Sequence, residues 1–341
     1  MKGMTILLVA ALAFALTSVL GIWLIPFLRR LKYGQTINDI GPVWHHKKQG
    51  TPTMGGLMFV GGIIASSCAG WTVYRLSNYS VTEYMPDFLL RQDSIKFFLG
   101  LGMAAAFGGI GFLDDYIKVV KKRNLGLSEI QKLILQSLVT VIYLTALYAA
   151  GDHSTAFFIP FLGRLDAGLL YYPISAFIII GTVNAVNLTD GLDGLCSSVT
   201  FVAALGMMMV CSLLGFHSTG LMATALAGGC LGFLVWNFYP AKVFMGDLGS
   251  MFLGGMMAAL AFGAGMPFLL VLVGIIYVIE ALSVIIQRFY YKATHGRRLF
   301  KMTPIHHHFE MSGFSEIQIT ALFSLVTAMG CILAVLAVRR M

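Results

Sequence analysis

Aspartate recurs in this sequence beside glycine, asparagine and lysine, at the ends of long apolar runs. Asp114 and Asp115 stand together in GFLDDYIKVVKKR, 111–123. Adjacent carboxylates repel, so one is readily pushed toward a higher pKa or onto a cation. Lys118 follows Asp114 and Lys122 follows Lys118 at i,i+4, which puts the three on one charged helix face. That pattern reads as a metal or base site beside a phosphate-attracting ladder. A solvated helix end with ordinary lysines is the plainer alternative.

A second group is GTVNAVNLTDGLDGL, 181–195. Asn184 and Asn187 are about one helical turn apart, as are Asp190 and Asp193. Gly191 and Gly194, around Leu192, let the backbone come close to a ligand. Oxygen-rich, thiol-free donors suit Mg²⁺, which takes few carboxylates and completes its shell with substrate phosphate. A turn alone would use one such residue, not this many. The third group, WNFYPAKVFMGDLGSMFLGG (236–255), sets Asp247 between Gly246 and Gly249. Ser250 is expected to cap the helix that follows, and a helix N-terminus attracts anions. Phe244 is available to stack on a base or to anchor at the interface.

Two loops add bases. KMTPIHHHFEMSG (301–313) carries His306, His307 and His308. Consecutive side chains diverge, so contacts to phosphate oxygens suit them better than joint Zn²⁺ ligation. HHKKQGTPTMGG (45–56) brings Lys47, Lys48, Thr51 and Thr53, which suit phosphate or sugar contacts.

Around these groups the chain is apolar. Of 341 residues, 58% are hydrophobic and 11% charged, and the mean hydropathy is +0.83. This excludes a soluble enzyme, a disordered tail and a nucleic-acid-binding module. Ten apolar runs are long enough to span a bilayer, at about 4–28, 54–74, 95–113, 132–150, 169–187, 196–214, 221–238, 249–265, 268–287 and 318–338. The first continues to Leu28 and meets Arg29-Arg30, which favours a retained span over a signal peptide. The expected architecture is an all-α polytopic membrane protein, with residues 1–341 as one transmembrane catalytic domain. Ten spans put 16 of the 23 Lys and Arg on the face holding all the groups above. The positive-inside rule makes that face cytoplasmic and both termini external. The net charge of +8 is thus largely topological.

Segment 151–168 reads as a small hairpin, and the Gly-rich stretches 55–62 and 253–260 as close-packing faces. The five cysteines have packing roles only. Glu280 is a mid-span charge, hence a functional candidate or an inward structural pair with Gln287 and Arg288.

A metal-binding carboxylate set with lysines, histidines and an aromatic, at the rim of an apolar wall, suits phosphoryl transfer between a soluble pyrophosphate-linked donor and a lipid phosphate. DDYIK (114–118), NAVNLTDGLDGL (184–195), FMGDLGS (244–250), GTPTMGG (50–56) and PIHHHFE (304–310) resemble the polyprenyl-phosphate N-acetylhexosamine-1-phosphate transferases, in order and over essentially the whole chain. TPTMGG with HHHFE is similar to the branch that serves bacterial peptidoglycan synthesis.

The resemblance implies transfer of phospho-N-acetylmuramoyl-pentapeptide from its uridine diphosphate (UDP) donor, UDP-MurNAc-pentapeptide, to undecaprenyl phosphate. Lipid I and uridine monophosphate (UMP) would be the products, with Mg²⁺ required. It further implies a homodimer in the bacterial cytoplasmic membrane, with no nucleic-acid partner. Carried over, Asp247 would ligate Mg²⁺ at the donor diphosphate, and Asp114 would activate the lipid phosphate. Asp115 would support Asp114 or bind metal, and His306 would contact phosphates beside His307 and His308. Lys48, Thr53, Lys118, Lys122, Asn187, Asp190, Gly191, Leu192, Asp193 and Ser250 would line the substrate site. Lys132 would reach the donor, and Phe244 with Asn237 would hold uracil. The alternatives are a sibling that transfers N-acetylglucosamine-1-phosphate and a lipid-linked transporter or flippase. The absence of an internal repeat weighs against the transporter.

Overall fold

Apolar runs with few breaks become helices in a bilayer, because only a helix satisfies every backbone N–H and C=O within one segment. The computed structural model, described for residues 3–31, 48–77, 87–120 and 126–341, is built almost wholly in this way. In chain order the helices are α1 (Gly3–Arg30), α2 (Gly56–Ser77), α3 (Asp87–Val120), α4 (Glu129–Ala149), α5 (Tyr171–Thr189), α6 (Leu195–Leu214), α7 (His217–Asn237), α8 (Gly246–Gly263), α9 (Leu270–Val273), α10 (Ile275–Ala293), α11 (Ile305–Glu310) and α12 (Glu316–Arg339). The expected hairpin is present: β1 (Ala156–Ile159) pairs antiparallel with β2 (Gly163–Asp166), Phe157 opposite Leu165.

Among the described residues nine helices are long and apolar enough to cross a membrane, and a tenth span is counted if a bent pair is one crossing. That pair corrects the expectation of an unbroken run over 268–287. Residues Pro267–Val273 and Ile275–Ala293 meet at an angle of 86°. The break falls at Gly274, which has φ −106° and ψ 25°. A Cβ there would meet the Leu270 carbonyl oxygen and the Tyr277 ring. Hydropathy records that a segment is apolar, not which way it runs, so the bend has no signature in the run itself. Helix α3 also exceeds its expected limits of 95–113, because polar turns extend it at both ends.

Helices α7 and α8 form the middle of the bundle, with 83% and 89% of their spans buried, against 28% for α1. Helix α8 lies between α3 and α5, and α7 between α1 and α6. Lipid offers no hydrophobic drive for such contacts, so they depend on close packing of small residues. Gly255 of α8 faces the Ala104 α-carbon, Gly254 faces that of Val183, and Gly249 abuts Gly56. The glycine-rich stretches are thus packing faces, as their composition suggested. All five cysteines are free, and four of them are buried.

The polar ends are tied as well. At one end Asp93 of α3 accepts from the Ser218 and Thr219 amides at the start of α7, at 2.7 and 3.4 Å. Lys96 pairs with Asp152 at 2.7 Å. At the other end, Gly111 of α3 lies against the Asp247 backbone of α8, where a Cβ would overlap the carbonyl. Gly111→Ala should therefore push α8 off α3. The expected outcome is a loss of about 1–3 kcal/mol, the usual cost of overpacking, read as a lower melting temperature in detergent.

Candidate active site

The carboxylates converge where α3 ends and α8 begins. Asp114 and Asp115 lie in the last turns of α3, and Asp247 in the first turn of α8. One oxygen from each comes within 4.8 Å of the others. Asp114 is fully buried, whereas Asp247 keeps 20% of its side chain exposed.

Each carboxylate is held differently. Asp115 accepts from the backbone N–H groups of Asp247 (3.2 Å) and Leu248 (3.0 Å). It thus caps α8 from a neighbouring helix, satisfying donors that a helix start leaves open. Ser250, expected in that role, does not cap. It sits one turn inside, donates back to the Gly246 carbonyl at 3.1 Å, and accepts from Asn187 at 2.8 Å. Gly246, at φ +72°, leaves room for Asp115, since a Cβ there would collide with the Asp115 carboxylate and the Thr53 hydroxyl.

Asp114 accepts from the Leu127 amide at 2.7 Å through one oxygen. Its other oxygen faces the ammonium groups of Lys118, the i,i+4 partner, and Lys132 of α4. The same two lysines reach Asp247 Oδ2, at 3.0 and 2.7 Å. Asn187 donates to Asp247 Oδ1 at 3.1 Å. Three carboxylates and two ammonium groups thus share one small volume. The donors are all hard oxygens, two of them on carboxylates already crowded by cations, so the set suits a small divalent ion.

Other expected site residues have structural partners. Lys48 bridges Asp193 (2.7 Å) and Glu316 (2.6 Å). Burial works against its charge, but the hydrogen bonds to Asp193 and Glu316 outweigh that and raise its pKa. Asp193 also accepts from the Ala241 amide at 2.8 Å, and its own amide donates to Glu316 at 2.8 Å. The Lys48 segment, the loop after α5, the loop after α7 and the start of α12 are joined here. Asn237 is buried, donates to the Val243 carbonyl at 2.9 Å, and accepts from the Gly194 amide at 3.2 Å. Both ends of its amide therefore bind the loops that carry Phe244 and Asp193. Phe244 is half-buried, and its backbone pairs with Pro52 and Gly55 at 2.8 Å each.

Asp190 and Gly191 lie between α5 and α6. Desolvation first, then the charges of Asp247, Asp115 and Asp193, push the Asp190 carboxyl up to about 8. Relative to an ordinary aspartate, its protonated form is favoured, and in that form it can donate a hydrogen bond to an anion. His306 comes to this loop from α11. Its Nε2 faces Gly191 so closely that a Cβ at 191 would overlap it. Buried Leu192 completes the turn. His307 pairs with Glu310 at 3.0 Å, and His308 accepts from the Lys301 amide at 3.2 Å. The three histidines diverge, as consecutive residues must.

Lys122 lies outside the described residues, as do His45, His46 and Lys47. Sequence reasoning missed Glu316 as the anchor of Lys48. Its only signal was an acidic first helical turn beside the Ser315–Gln318 capping box, which reads as ordinary capping. Glu280 was flagged, but not its partner: it pairs with His306 at 2.9 Å. Gln287, one suggested partner, instead accepts from the Leu299 and Phe300 amides at 3.0 Å each.

Gly191→Ala requires no unusual backbone angle but would displace the His306 ring. It should cut turnover by about 10–100-fold, the scale of a reactive group misplaced by an ångström, with little change in melting temperature. Parallel rate and thermal-shift measurements would check this.

The sequence neighbours agree with this geometry. A family model described as Glycosyl transferase family 4 matches residues 97–265. A signature described as Phospho-N-acetylmuramoyl-pentapeptide-transferase signature 1 matches residues 48–60. Proteins named phospho-N-acetylmuramoyl-pentapeptide-transferase are similar over nearly the full length. That of Acetivibrio thermocellus is 43% identical, covering 96% of this chain and 94% of its own. That of Clostridium perfringens is 44% identical, covering 96% and 95%. That of Halalkalibacterium halodurans is 44% identical, covering 98% and 96%. With such identity sustained from end to end, and the signature lying on the loop that packs against the aspartate cluster, this chain belongs to the phospho-N-acetylmuramoyl-pentapeptide-transferase family.

Proposed function

We propose that the protein transfers phospho-N-acetylmuramoyl-pentapeptide from its UDP-linked donor to undecaprenyl phosphate, releasing UMP and forming lipid I. The observation that carries this reading is the meeting of Asp114, Asp115 and Asp247 within 4.8 Å at one end of an apolar bundle. A nucleotide diphosphate is water-soluble and its acceptor is a lipid. Only a site at the edge of a membrane-buried bundle reaches both.

Phosphoryl transfer asks for alignment and charge neutralisation more than for covalent help. Asp247 and Asp114 would hold Mg²⁺, whose chemistry when bound is to neutralise the donor's diphosphate charge. Asp115 is committed to α8 and fixes where Asp247 stands. Lys118 and Lys132, which neutralise the carboxylates here, are placed to turn toward substrate phosphates. Asp190 and His306 would approach the same oxygens from the loop after α5 and from α11. Thr53, beside Gly246, adds a hydroxyl at that rim. Phe244 offers a face for uracil. Lys48, Asp193 and Asn237 would act through the loops they join. A phosphate monoester has a second pKa of about 6 and is mostly dianionic at neutral pH. It needs orientation rather than a strong base, so the lipid phosphate attacks directly, with no phosphosugar–enzyme intermediate.

The lysine and arginine excess on the site's face supports a site that faces the cytoplasm, with both termini outside. A homodimer in the bacterial inner membrane completes the reading.

Purified protein should release UMP from the muramoyl-pentapeptide donor only when undecaprenyl phosphate is present. Release from UDP-N-acetylglucosamine in its place would shift the assignment to the sibling reaction. Label trapped on the protein without acceptor would overturn direct attack. Asp114→Asn and Asp247→Asn should each lower turnover at least ~100-fold, as loss of a charge-stabilising group does. Asp115→Asn should do so too, but with a reduced melting temperature, because it also uncaps α8. Removing divalent ions with a chelator should stop turnover, and Mg²⁺ should restore it. Retained turnover in the chelator would remove the metal from the mechanism.

A further inference from the structure

Glu280 lies in α10 and His306 in α11, and both side chains are fully buried. His306 Nδ1 lies 2.9 Å from Glu280 Oε1. Among the described residues no lysine or arginine approaches Glu280, and its second oxygen has no hydrogen-bond partner. A buried carboxylate without a cation is costly in a bilayer protein, and among the described residues the imidazole is the side chain that bonds it.

The other ring nitrogen is equally informative. His306 Nε2 is buried and unpartnered, and it faces Gly191 in the loop that carries Asp190 and Asp193. Buried polar atoms are nearly always hydrogen-bonded, so an orphan aimed at a substrate loop marks a place where a ligand atom arrives. Which nitrogen of a histidine is available is set by what binds the other. A carboxylate only accepts, so wherever Glu280 is ionised Nδ1 carries the shared proton.

We propose that Glu280 is a positioning residue for the transfer reaction: its carboxylate accepts the Nδ1–H of His306, fixes the ring and aims Nε2 at the space beside Gly191, where Nε2 accepts from a substrate hydroxyl or amide N–H, or donates to a phosphate oxygen when it too carries a proton. The inference rests on the function proposed above. It gives the mid-span acid a role through His306, and gives the first histidine of the run a task that His307 and His308, turned to Glu310 and Lys301, do not share.

The test uses the full-length protein in detergent with the muramoyl-pentapeptide donor, undecaprenyl phosphate and Mg²⁺. Glu280→Gln keeps the side chain's size but loses its charge. It should lower kcat about 10–100-fold, the usual effect of removing the outer partner of a functional histidine, at an unchanged melting temperature. Glu280→Asp should recover part of that loss. The double variant Glu280→Gln/His306→Gln should be no slower than His306→Gln alone, because both act through one ring. Wild-type kcat in Glu280→Gln, or losses that multiply in the double variant, would overturn the proposal. If Glu280→Gln does not fold, ¹⁵N spectra of histidine-labelled wild-type protein decide, with the His306 signal assigned by its loss in His306→Gln. A protonated Nδ1 supports the pair, and a bare Nδ1 refutes it. A wild-type protein that releases no UMP would instead sink the transferase reading, and the spectrum would still judge the pair.

Discussion

The carboxylate of Asp115, at the end of one helix, binds the first amides of another, and the site's dimensions follow from that contact. Its two oxygens take the N–H groups of Asp247 and Leu248. Helix α8 therefore cannot slide along α3 without breaking its own cap. Because Asp114 precedes Asp115 and Asp247 opens α8, the same contact sets the spacing of the two carboxylates that remain for chemistry. Gly246 and Gly111 permit it, since any side chain at either position would fill the space between the helices. One acid is thus spent on geometry so that two can face a cation.

The second constraint is charge. Asp114 and Asp247 share Lys118 and Lys132. Unpaired carboxylates this close would repel strongly in a poorly solvated volume. With the lysines inserted this pair is close to neutral, and a divalent ion would carry the same +2 as the two ammonium groups it displaced, which would free the lysines for phosphate. A similar economy governs the rim. Lys48 is neutralised by Asp193 and Glu316, which joins four chain segments that are distant in sequence. These residues hold the loops together through charged atoms that are already occupied.

The break at Gly274 has a comparable role. It turns an apolar segment into two short pieces, and the second, α10, packs against α5, α11 and α12. Glu280 is on that piece. Its acid meets His306, and Gln287 two turns later holds the Leu299–Phe300 backbone. The histidine loop is thus supported by a helix whose polar residues would be anomalous in an uninterrupted span.

The sequence by itself determined the class of the fold and the candidates for the site. Apolar runs fix helices in a bilayer because no other segment satisfies its own backbone, and the expected spans match α1, α2, α4 to α8 and α12 closely, with α3 running beyond its expected limits at both ends. Asp114, Asp115 and Asp247 stood out because carboxylates beside glycine at span ends have few structural uses. Tertiary structure alone decided the division of labour. That Asp115 caps α8 while Ser250 does not, that Asn237 spends both ends of its amide on loops, and that Glu280 meets His306 instead of Gln287 or Arg288 all depend on helix packing. So does the 86° turn at Gly274. Periodicity and spacing describe the face a residue occupies on its own helix. Partners 20 to 270 residues away are set by which helices touch and at what depth, and that is fixed only when small residues let the bundle close.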